Sequence, residues 1–492
     1  MRASSAAQAA AGAAGAALLS AFALRGFTVD DALVTARVAS HLASGQGYRF
    51  NVPGPVVDAV TPLGWAELLA SFGPGTPLVM LERGRVIGLV AWIVAAAVLG
   101  VLGGGSRRRQ LTVVAALLVS APLASWASTG METGLVTLFA TLALAGGPVG
   151  ALAAGLAAAW RPELLAWAAV LVAGDAFIQA SDPKSRSRAL SVRLPLALGP
   201  AIAVACVRHA RFGSFAPLAV WAKPSDLAHG FVYALGAGVG TGAAPVLLAP
   251  RAFARADRKT QVLVLSVAAH WVALVLVGGD WMALYRLAVP VLPAAILAAA
   301  GLLEVSTRRA LAARALVTVA VPLWILATVA WPGRYVLGHR LALIEASRGA
   351  LLGARSVACL DVGWVGAATD VPILDLAGIT DPLVAYLPGG HTTKRIDNDL
   401  FERRGVDAVV LLLAPGARLE RPWERSEFAR GVEERVASLP AVRPFRVKAL
   451  LPLGGTRQSY LVARPEIGRF VVRPPPAPAI SPQASALALR GR

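Results

Sequence analysis

A series of long, nearly uncharged apolar segments restricts what this chain can fold into. The segments follow one another up to residue 331, and short polar stretches separate them. Over its 492 residues the chain is 56% hydrophobic and only 15% charged. Because a membrane span needs about 20 apolar residues, the pattern predicts a polytopic α-helical membrane protein with about 11 transmembrane helices. The predicted spans are 6–24, 86–104, 111–127, 131–147, two within 148–178, 194–207, 231–249, 260–278, 285–303 and 315–331.

Short basic clusters between these segments predict the topology. They are Arg107-Arg108-Arg109, 184–193, 251–259 and Arg308-Arg309. Lys and Arg accumulate on the cytoplasmic side of a membrane, and a cytoplasmic N-terminus puts all four clusters there. The sequence therefore predicts a multi-pass membrane protein whose N-terminus is cytoplasmic and whose C-terminal region is extracytoplasmic. The same placement argues against nucleic-acid binding, despite a net charge of +19.

The first apolar segment also fits a cleaved signal peptide, because Ala21-Phe22-Ala23 has the small-x-small pattern of a cleavage site. Only Arg2 precedes the segment as a positive charge, and the apolar run is long enough to cross a bilayer. The sequence therefore favours a span over a signal peptide.

Composition divides the chain into three parts. Residues 1–333 form the predicted transmembrane domain, 334–471 a small extracytoplasmic α/β domain, and 472–492 a disordered Pro-rich tail. Buried-type strands are predicted at Val357–Leu360 and Ala408–Leu413.

The transmembrane part begins with a predicted external loop at 25–84. Apolar residues at helical spacing in 31–44 and 63–72 predict two short helices lying in the membrane interface. The triplet Arg161-Pro162-Glu163 interrupts the apolar stretch 148–178 and predicts a turn between two helices.

Polar residues suited to catalysis or ligand binding converge on the outer side in this topology. They are Asp30 and Asp31 with Arg37, Lys223, Asp280 and Trp281 with Arg286, and the stretch 375–382 with His391. A carboxylate acts as a general base, a cation holds a phosphate, and an aromatic ring stacks on a sugar.

Each candidate has a structural alternative. Asp30 or Asp31 also fits a helix cap, and Lys223 fits a side chain that snorkels from an interfacial helix. Arg286 fits a structural ion pair with Asp280, Trp281 fits an interfacial aromatic belt, and His391 fits an ordinary surface histidine.

An ordered set of motifs resembles the GT-C glycosyltransferases. The motifs are Asp30-Asp31-Ala32, Arg37, 45–54, 57–65, 130–133, Arg161-Pro162-Glu163, Phe215-Ala216-Pro217 through Lys223, 278–282, Tyr285-Arg286, Val289-Pro290, 375–381 and 387–391. The resemblance is greatest to the bacterial branch that includes the mycobacterial terminal arabinofuranosyltransferase. It covers residues 1 to about 415, and each motif alone is weak whereas the series is specific.

The resemblance implies an integral membrane glycosyltransferase with a GT-C-like fold. Such an enzyme moves a sugar from a polyprenyl-phosphate donor to a hydroxyl of a cell-envelope glycan, lipid or protein at the outer face of the bacterial cytoplasmic (inner) membrane. It implies Asp30 or Asp31 as the catalytic base. Donor phosphate or sugar binding is expected of Arg37, Lys223, Asp280, Trp281, Arg286 and His391.

Two other functions are kept as alternatives. A polytopic transporter or lipid-linked-sugar flippase would need polar groups near the bilayer midplane and two related halves, and the apolar windows here are nearly uncharged. A membrane-anchored binding protein would leave Asp280 and Arg286 unexplained.

No protein metal ligand set is expected, because the two cysteines, Cys206 and Cys359, are far apart and the six histidines lack a ligand spacing. A divalent metal bound by the carboxylates of Asp30, Asp31 and Asp280 remains an alternative, in which the metal assists the reaction.

Overall fold

The computed structural model describes residues 3–307, 310, 316, 320–417, 423 and 425–465. The basic pair Arg308-Arg309 and the predicted Pro-rich tail 472–492 lie outside the described residues, as does part of the predicted span 315–331.

Long apolar helices make up most of the membrane part. Among the described residues, seven helices are long and apolar enough to cross a membrane, or eight if the bent pair Arg107–Val119 and Ala121–Ala127 forms one span. The seven are Ser4–Ala23, Pro77–Leu102, Pro162–Gln179, Pro183–Phe212, Arg258–Leu276, Arg286–Glu304 and Ala320–Leu351. Their length and composition describe a multi-pass membrane protein.

Three further apolar helices are shorter than a perpendicular span requires. They are Thr133–Ala143, Gly147–Trp160 and Leu227–Gly240. Together with the long helices and the bent pair they account for the predicted apolar segments as far as the residues are described, but the number of crossings stays a prediction. The remaining helices of this part are Asp30–Ala43, Trp65–Ala70, Leu218–Ala222, Ala244–Leu247 and Pro250–Phe253. The predicted break at Arg161-Pro162-Glu163 is confirmed as a single 3-10 turn, Pro162–Leu164.

Small residues bring the membrane helices into close contact. The helix Pro77–Leu102 packs on Thr133–Ala143, where a Cβ atom on Gly134 would lie 2.4 Å from the carbonyl oxygen of Gly88. On its other side a Cβ atom on Gly100 would lie 2.4 Å from the carbonyl of Ala9. Helices in lipid associate through such backbone approaches, because lipid removes most of the hydrophobic drive.

The helix Asp30–Ala43 is covered by protein and is not the lipid-facing amphipathic helix that the sequence predicted. Its residues 32–39 are all buried, which a helix with one lipid-facing side could not achieve. It packs against Pro77–Leu102 and Trp65–Ala70 on the membrane side and against the helix Val362–Ala368 of the C-terminal domain. The predicted second helix is observed at Trp65–Ala70, also with buried residues.

The C-terminal domain is built on a five-stranded mixed sheet. Its strands are β1 (Val357–Cys359), β2 (Ile373–Asp375), β3 (Ala408–Leu412), β4 (Phe445–Pro452) and β5 (Ser459–Pro465), in the order β2-β1-β3-β5-β4. β1 pairs in parallel with β2 and β3, whereas β5 runs antiparallel to β3 and β4. The sheet is accompanied by the last part of the long helix Ala320–Leu351, Val336–Leu351, and by the helices Val362–Ala368, Pro382–Ala385, Asn398–Arg403 and Gly431–Ala437. Both predicted strands, now β1 and β3, are confirmed.

We expect Gly134→Ala to destabilise the helix bundle by about 1–3 kcal/mol, because the added methyl group forces two backbones apart. Gly15→Ala is the matched control, since a Cβ atom there meets nothing within 4 Å. Thermal unfolding of the detergent-solubilised protein measures both changes. Equal melting temperatures for Gly134→Ala and the unsubstituted protein would show that the helices can separate without cost.

Candidate functional site

A cavity of about 730 Å³ lies where the membrane helices meet the C-terminal domain. Its walls come from the helix Asp30–Ala43, the turn at 161–163, the helix Pro183–Phe212 and the segments 215–223 and 277–287. The C-terminal domain contributes Ile379. Eight charged side chains line it: Asp31, Glu132, Glu163, Asp280, Arg161, Arg208, Lys223 and Arg286.

Arg286 holds two of the acids in this cavity. Its Nε atom lies 2.8 Å from Oδ2 of Asp280, and its Nη1 atom lies 3.6 Å from Oδ2 of Asp31. Within the described residues its Nη2 atom has no hydrogen-bond partner. Burial disfavours the charged form of Asp280, but the attraction of Arg286, Lys223 and Arg161 outweighs it and lowers the pKa of Asp280 below its ordinary value. Asp280 therefore stays ionised and orients Arg286.

The backbone immediately before Arg286 is strained. Leu284 and Tyr285 have φ values of 61° and 53°, a left-handed conformation that side chains with a Cβ atom rarely adopt. The Trp126 indole donates to the carbonyl of Leu284 at 3.1 Å, and the Tyr285 ring sits against Gly240, where a Cβ atom would lie 2.3 Å from the ring. Such strain persists only where surrounding contacts enforce it, and it aims the Arg286 side chain into the cavity.

Arg161 forms a second cluster with acids of the cavity wall. Its guanidinium lies 2.6 Å from Glu132 and 3.6 Å from Glu163, and all three side chains are almost fully buried. Arg208 pairs with Asp58, which stands outside the wall, and also donates to the carbonyl of Thr61 at 2.6 Å. These cations are therefore already compensated by protein groups.

Lys223 differs from the arginines of the cavity. Among the described residues, no carboxylate lies within ion-pair distance of its ammonium group. The residue follows the short helix Leu218–Ala222 and is only partly buried. It is therefore the cation most available to an anionic ligand.

The two adjacent acids have different surroundings. Asp31 lines the cavity, and its side chain is 29% exposed. The Asp30 carboxylate instead accepts the backbone N–H groups of Gly363 and Trp364, at 2.7 and 2.9 Å. Asp30 does not cap its own helix, whose N-cap is Val29, but caps the helix Val362–Ala368 of the other domain. Burial raises the pKa of Asp30 to about 6, against the attraction of Arg340.

Arg37 lies away from the cavity and binds protein groups alone. Its guanidinium donates to the carbonyl of Phe50 and to those of Gly366 and Thr369, at 2.6–2.8 Å, and more weakly to two further carbonyls, those of Asp370 and Val371. Burial lowers its pKa to about 10, still far above neutrality. The geometry gives Arg37 a structural role in place of the predicted donor contact.

Trp281 directly follows the wall residue Asp280 and contacts His391 next to the cavity, at the edge called the rim below. Their ring centroids are 5.6 Å apart, and Trp281 also stacks on His229 at 4.3 Å. Trp281 is 69% exposed. Burial and the nearby Lys223 lower the pKa of His391 to about 4, while Asp31 and Asp280 oppose the shift. The imidazole is therefore neutral at physiological pH.

The three acids considered for a metal do not form one cluster. Asp30 is bound to backbone N–H groups, whereas Asp31 and Asp280 both face Arg286. In the part of the chain that the structure describes, no group of three His, Cys, Asp or Glu side chains is arranged to hold a metal ion. The two cysteines are free thiols.

Four wall residues were not among the predicted site residues, although the first three lie in motifs of the resemblance: Glu132, Arg161, Glu163 and Arg208. A signal for Glu132 was available, because an ionisable residue at the end of an apolar segment is by default a functional candidate. Its pairing with Arg161 could not be deduced, since nothing local links the two segments.

The chain matches no protein-family model and no curated protein. Among solved structures it is similar to the cryo-EM structure of the arabinofuranosyltransferase AftD from Mycobacteria, over 92% of this chain, with 17% sequence identity and a TM-score of 0.43. The chain spans 39% of the length of that structure. A similarity of this degree carries no argument about function, which has to come from the site.

We expect His391 to make the folded protein less stable in acid. Its folded-state pKa is lowered to about 4, so between pH 6.5 and 4 the unfolded chain binds a proton that the folded protein does not. This contribution is fully present above pH 6.5 and is lost as the pH falls toward 4. Thermal unfolding between pH 7 and 4.5 should therefore show a smaller loss of stability for His391→Gln than for the unsubstituted protein. Parallel pH profiles would contradict the buried, neutral imidazole.

Proposed function

We propose that this protein is a GT-C-like membrane glycosyltransferase that uses a polyprenyl-phosphate sugar as donor and a hydroxyl group as acceptor, at the outer face of the membrane. The observation that carries the proposal is the convergence of Asp31, Lys223 and Arg286 on one cavity. An accessible carboxylate facing two cations provides a base for a hydroxyl and a counter-charge for a phosphate.

The donor phosphate is assigned to Lys223 and Arg286. Lys223 has no carboxylate partner among the described residues, and Nη2 of Arg286 is likewise free there. A phosphate oxygen bound at these two groups gains charge-assisted hydrogen bonds. As the glycosidic bond to the phosphate breaks, the leaving phosphate gains negative charge, and the two cations stabilise it.

The lipid part of the donor is assigned to the apolar side of the cavity. The helix Pro183–Phe212 lines this side with Leu198, Ile202 and Ala205. Ile202 is 61% exposed although it lines the cavity, and Phe215 and Val220 are exposed lining residues as well. The cavity is therefore open along an apolar outer surface of the bundle, through which an isoprenoid chain can enter from the bilayer.

The base is assigned to Asp31. The acceptor oxygen attacks the anomeric carbon of the donor sugar, the bond from that carbon to the phosphate oxygen breaks, and Asp31 takes the proton of the acceptor hydroxyl. Arg286, itself oriented by Asp280, holds Asp31 at 3.6 Å. Asp30 acts by fixing the start of the same helix against the C-terminal domain.

We expect Asp31→Asn to reduce sugar transfer by about 10²–10⁴-fold, because the amide cannot accept the proton. Donor binding should persist, since Lys223 and Arg286 remain.

Lys223→Met should instead weaken donor binding. Transfer from radiolabelled polyprenyl-phosphate sugars, pooled from a membrane extract, and retention of the labelled donor on purified protein measure the two effects separately.

The matched control is Glu345→Gln, which removes an exposed carboxylate paired with Arg348, remote from the cavity wall. It should transfer at the normal rate. Normal transfer by Asp31→Asn would contradict the assignment of Asp31 as the base. Transfer that needs neither Lys223 nor Arg286 would contradict the assignment of the phosphate site.

A further inference from the structure

Two pairs of aromatic rings lie next to the cavity wall, and three of the four rings, those of Trp221, Tyr386 and Trp281, are exposed. Trp221 and Tyr386 have centroids 5.8 Å apart and are 47% and 63% exposed. Trp281 stacks on His229 with an interplanar angle of 16°, and His391 approaches its ring. Large aromatic rings exposed in adjacent pairs offer flat apolar faces with polar edges.

Both pairs lie along the seam between the membrane helices and the C-terminal domain. Trp221 is two residues before the cavity residue Lys223, and Trp281 directly follows Asp280. Tyr386 and His391 come from the C-terminal domain. Rings of an interfacial belt face lipid, whereas these rings face a partner from the extramembrane domain.

The loop that presents Tyr386 is held rigidly. Lys394 is 1% exposed, and its ammonium donates to the carbonyls of Ala385 and Leu387, the two neighbours of Tyr386, at 2.7 and 3.0 Å. The same loop is fixed at its start by Asp375, which accepts two backbone N–H groups and a hydroxyl. A buried lysine is costly unless hydrogen-bonded, so its use here to fix an exposed ring indicates a pre-organised contact surface.

Trp281 is fixed by comparable means. Its backbone N–H group donates to Oδ1 of Asp280 at 2.9 Å. The His229 ring stacks on Trp281, and its Nδ1 atom is hydrogen-bonded to the carbonyl oxygen of Gly278 at 2.7 Å. The φ of 83° at Gly278 permits this close approach. Neither pair therefore needs to become ordered when a ligand binds, which lowers the entropic cost of binding.

We propose that these two aromatic pairs form an acceptor subsite and that the acceptor is a carbohydrate chain. Sugar rings have C–H faces that pack on aromatic rings and hydroxyl edges that bind polar groups, which matches rings flanking Lys223 and a neutral His391. The inference rests on the proposed transferase function and assigns Trp281 and His391 to the acceptor side. A chain lying across both pairs brings a hydroxyl to the mouth of the cavity that contains Asp31.

Direct binding tests this subsite without any donor. The full-length protein in lipid nanodiscs is titrated with three soluble hexasaccharides, built from glucopyranose, mannopyranose or arabinofuranose, and binding is followed by saturation-transfer NMR. We expect at least one to bind, and Tyr386→Ala and Trp281→Ala each to raise its Kd at least about fivefold. Tyr386→Phe keeps the ring face and should stay within about twofold of the unsubstituted protein.

The matched control is Trp324→Ala, which removes a similarly exposed indole (61%) from a membrane helix away from the rim, and it should leave the Kd unchanged. Absence of binding by all three hexasaccharides, or binding that Tyr386→Ala and Trp281→Ala leave intact, overturns the inference. Transfer to a lipid alcohol or a peptide without glycan binding overturns this inference alone. Glycan binding by a protein whose transfer does not need Asp31 overturns the proposed catalytic function and leaves the subsite standing.

Discussion

The buried guanidinium of Arg37 is the contact on which the geometry of this protein depends. It donates to the carbonyl of Phe50 in the first loop and to four carbonyls within 366–371, which lie 329–334 residues after Arg37 in the chain. Asn51 adds a reciprocal pair of 2.9 Å hydrogen bonds to the backbone of Ile373 in β2, and Asp30 caps a helix of the same domain. Each buried carbonyl left without a donor would cost about 1–3 kcal/mol.

This docking explains why Asp31 faces the cavity. Asp30 and Asp31 are adjacent in one helix, so fixing Asp30 against Gly363 and Trp364 sets the rotation of the helix and the direction of the next side chain. On the opposite wall the strained residues Leu284 and Tyr285 aim Arg286 at the same point. Two independent constraints, one from each half of the chain, therefore meet at the pair formed by Asp31 and Arg286.

Charge balance in the cavity gives the arrangement its chemistry. Arg161 and Arg208 are satisfied by Glu132, Glu163 and Asp58, which makes them supports of the wall. Lys223 has no such partner among the described residues. An anion that enters the cavity therefore meets the ammonium group of Lys223 and Nη2 of Arg286. The neighbouring acids Asp31 and Asp280 limit how strongly the empty site attracts other anions.

The sequence was most informative where the physics is local. Apolar runs predicted the helices and two of the strands. Charges beside apolar segments singled out Asp31, Lys223, Asp280 and Arg286, and the structure brings all four to one cavity, where their roles are proposed. It failed where a role depends on contacts across the chain. Arg37 was expected to bind the donor phosphate or sugar, because its carbonyl partners are distant in sequence and could not be foreseen. The apolar stripe of 31–44 looked interfacial because the helix that covers it, Val362–Ala368, is also distant in sequence. The ion pair between Arg161 and Glu132 could not be deduced for the same reason, although both residues lie in motifs of the resemblance.

The helix Asp30–Ala43 and the segment around Arg286 are thus positioned for one anion. Cryo-EM of the full-length protein in nanodiscs with a polyprenyl phosphate tests this most directly. The account predicts phosphate density in contact with Lys223 and Arg286, and isoprenoid density along the helix Pro183–Phe212 near Ile202. A phosphate bound outside this cavity, or bound there without contact to either cation, would contradict it.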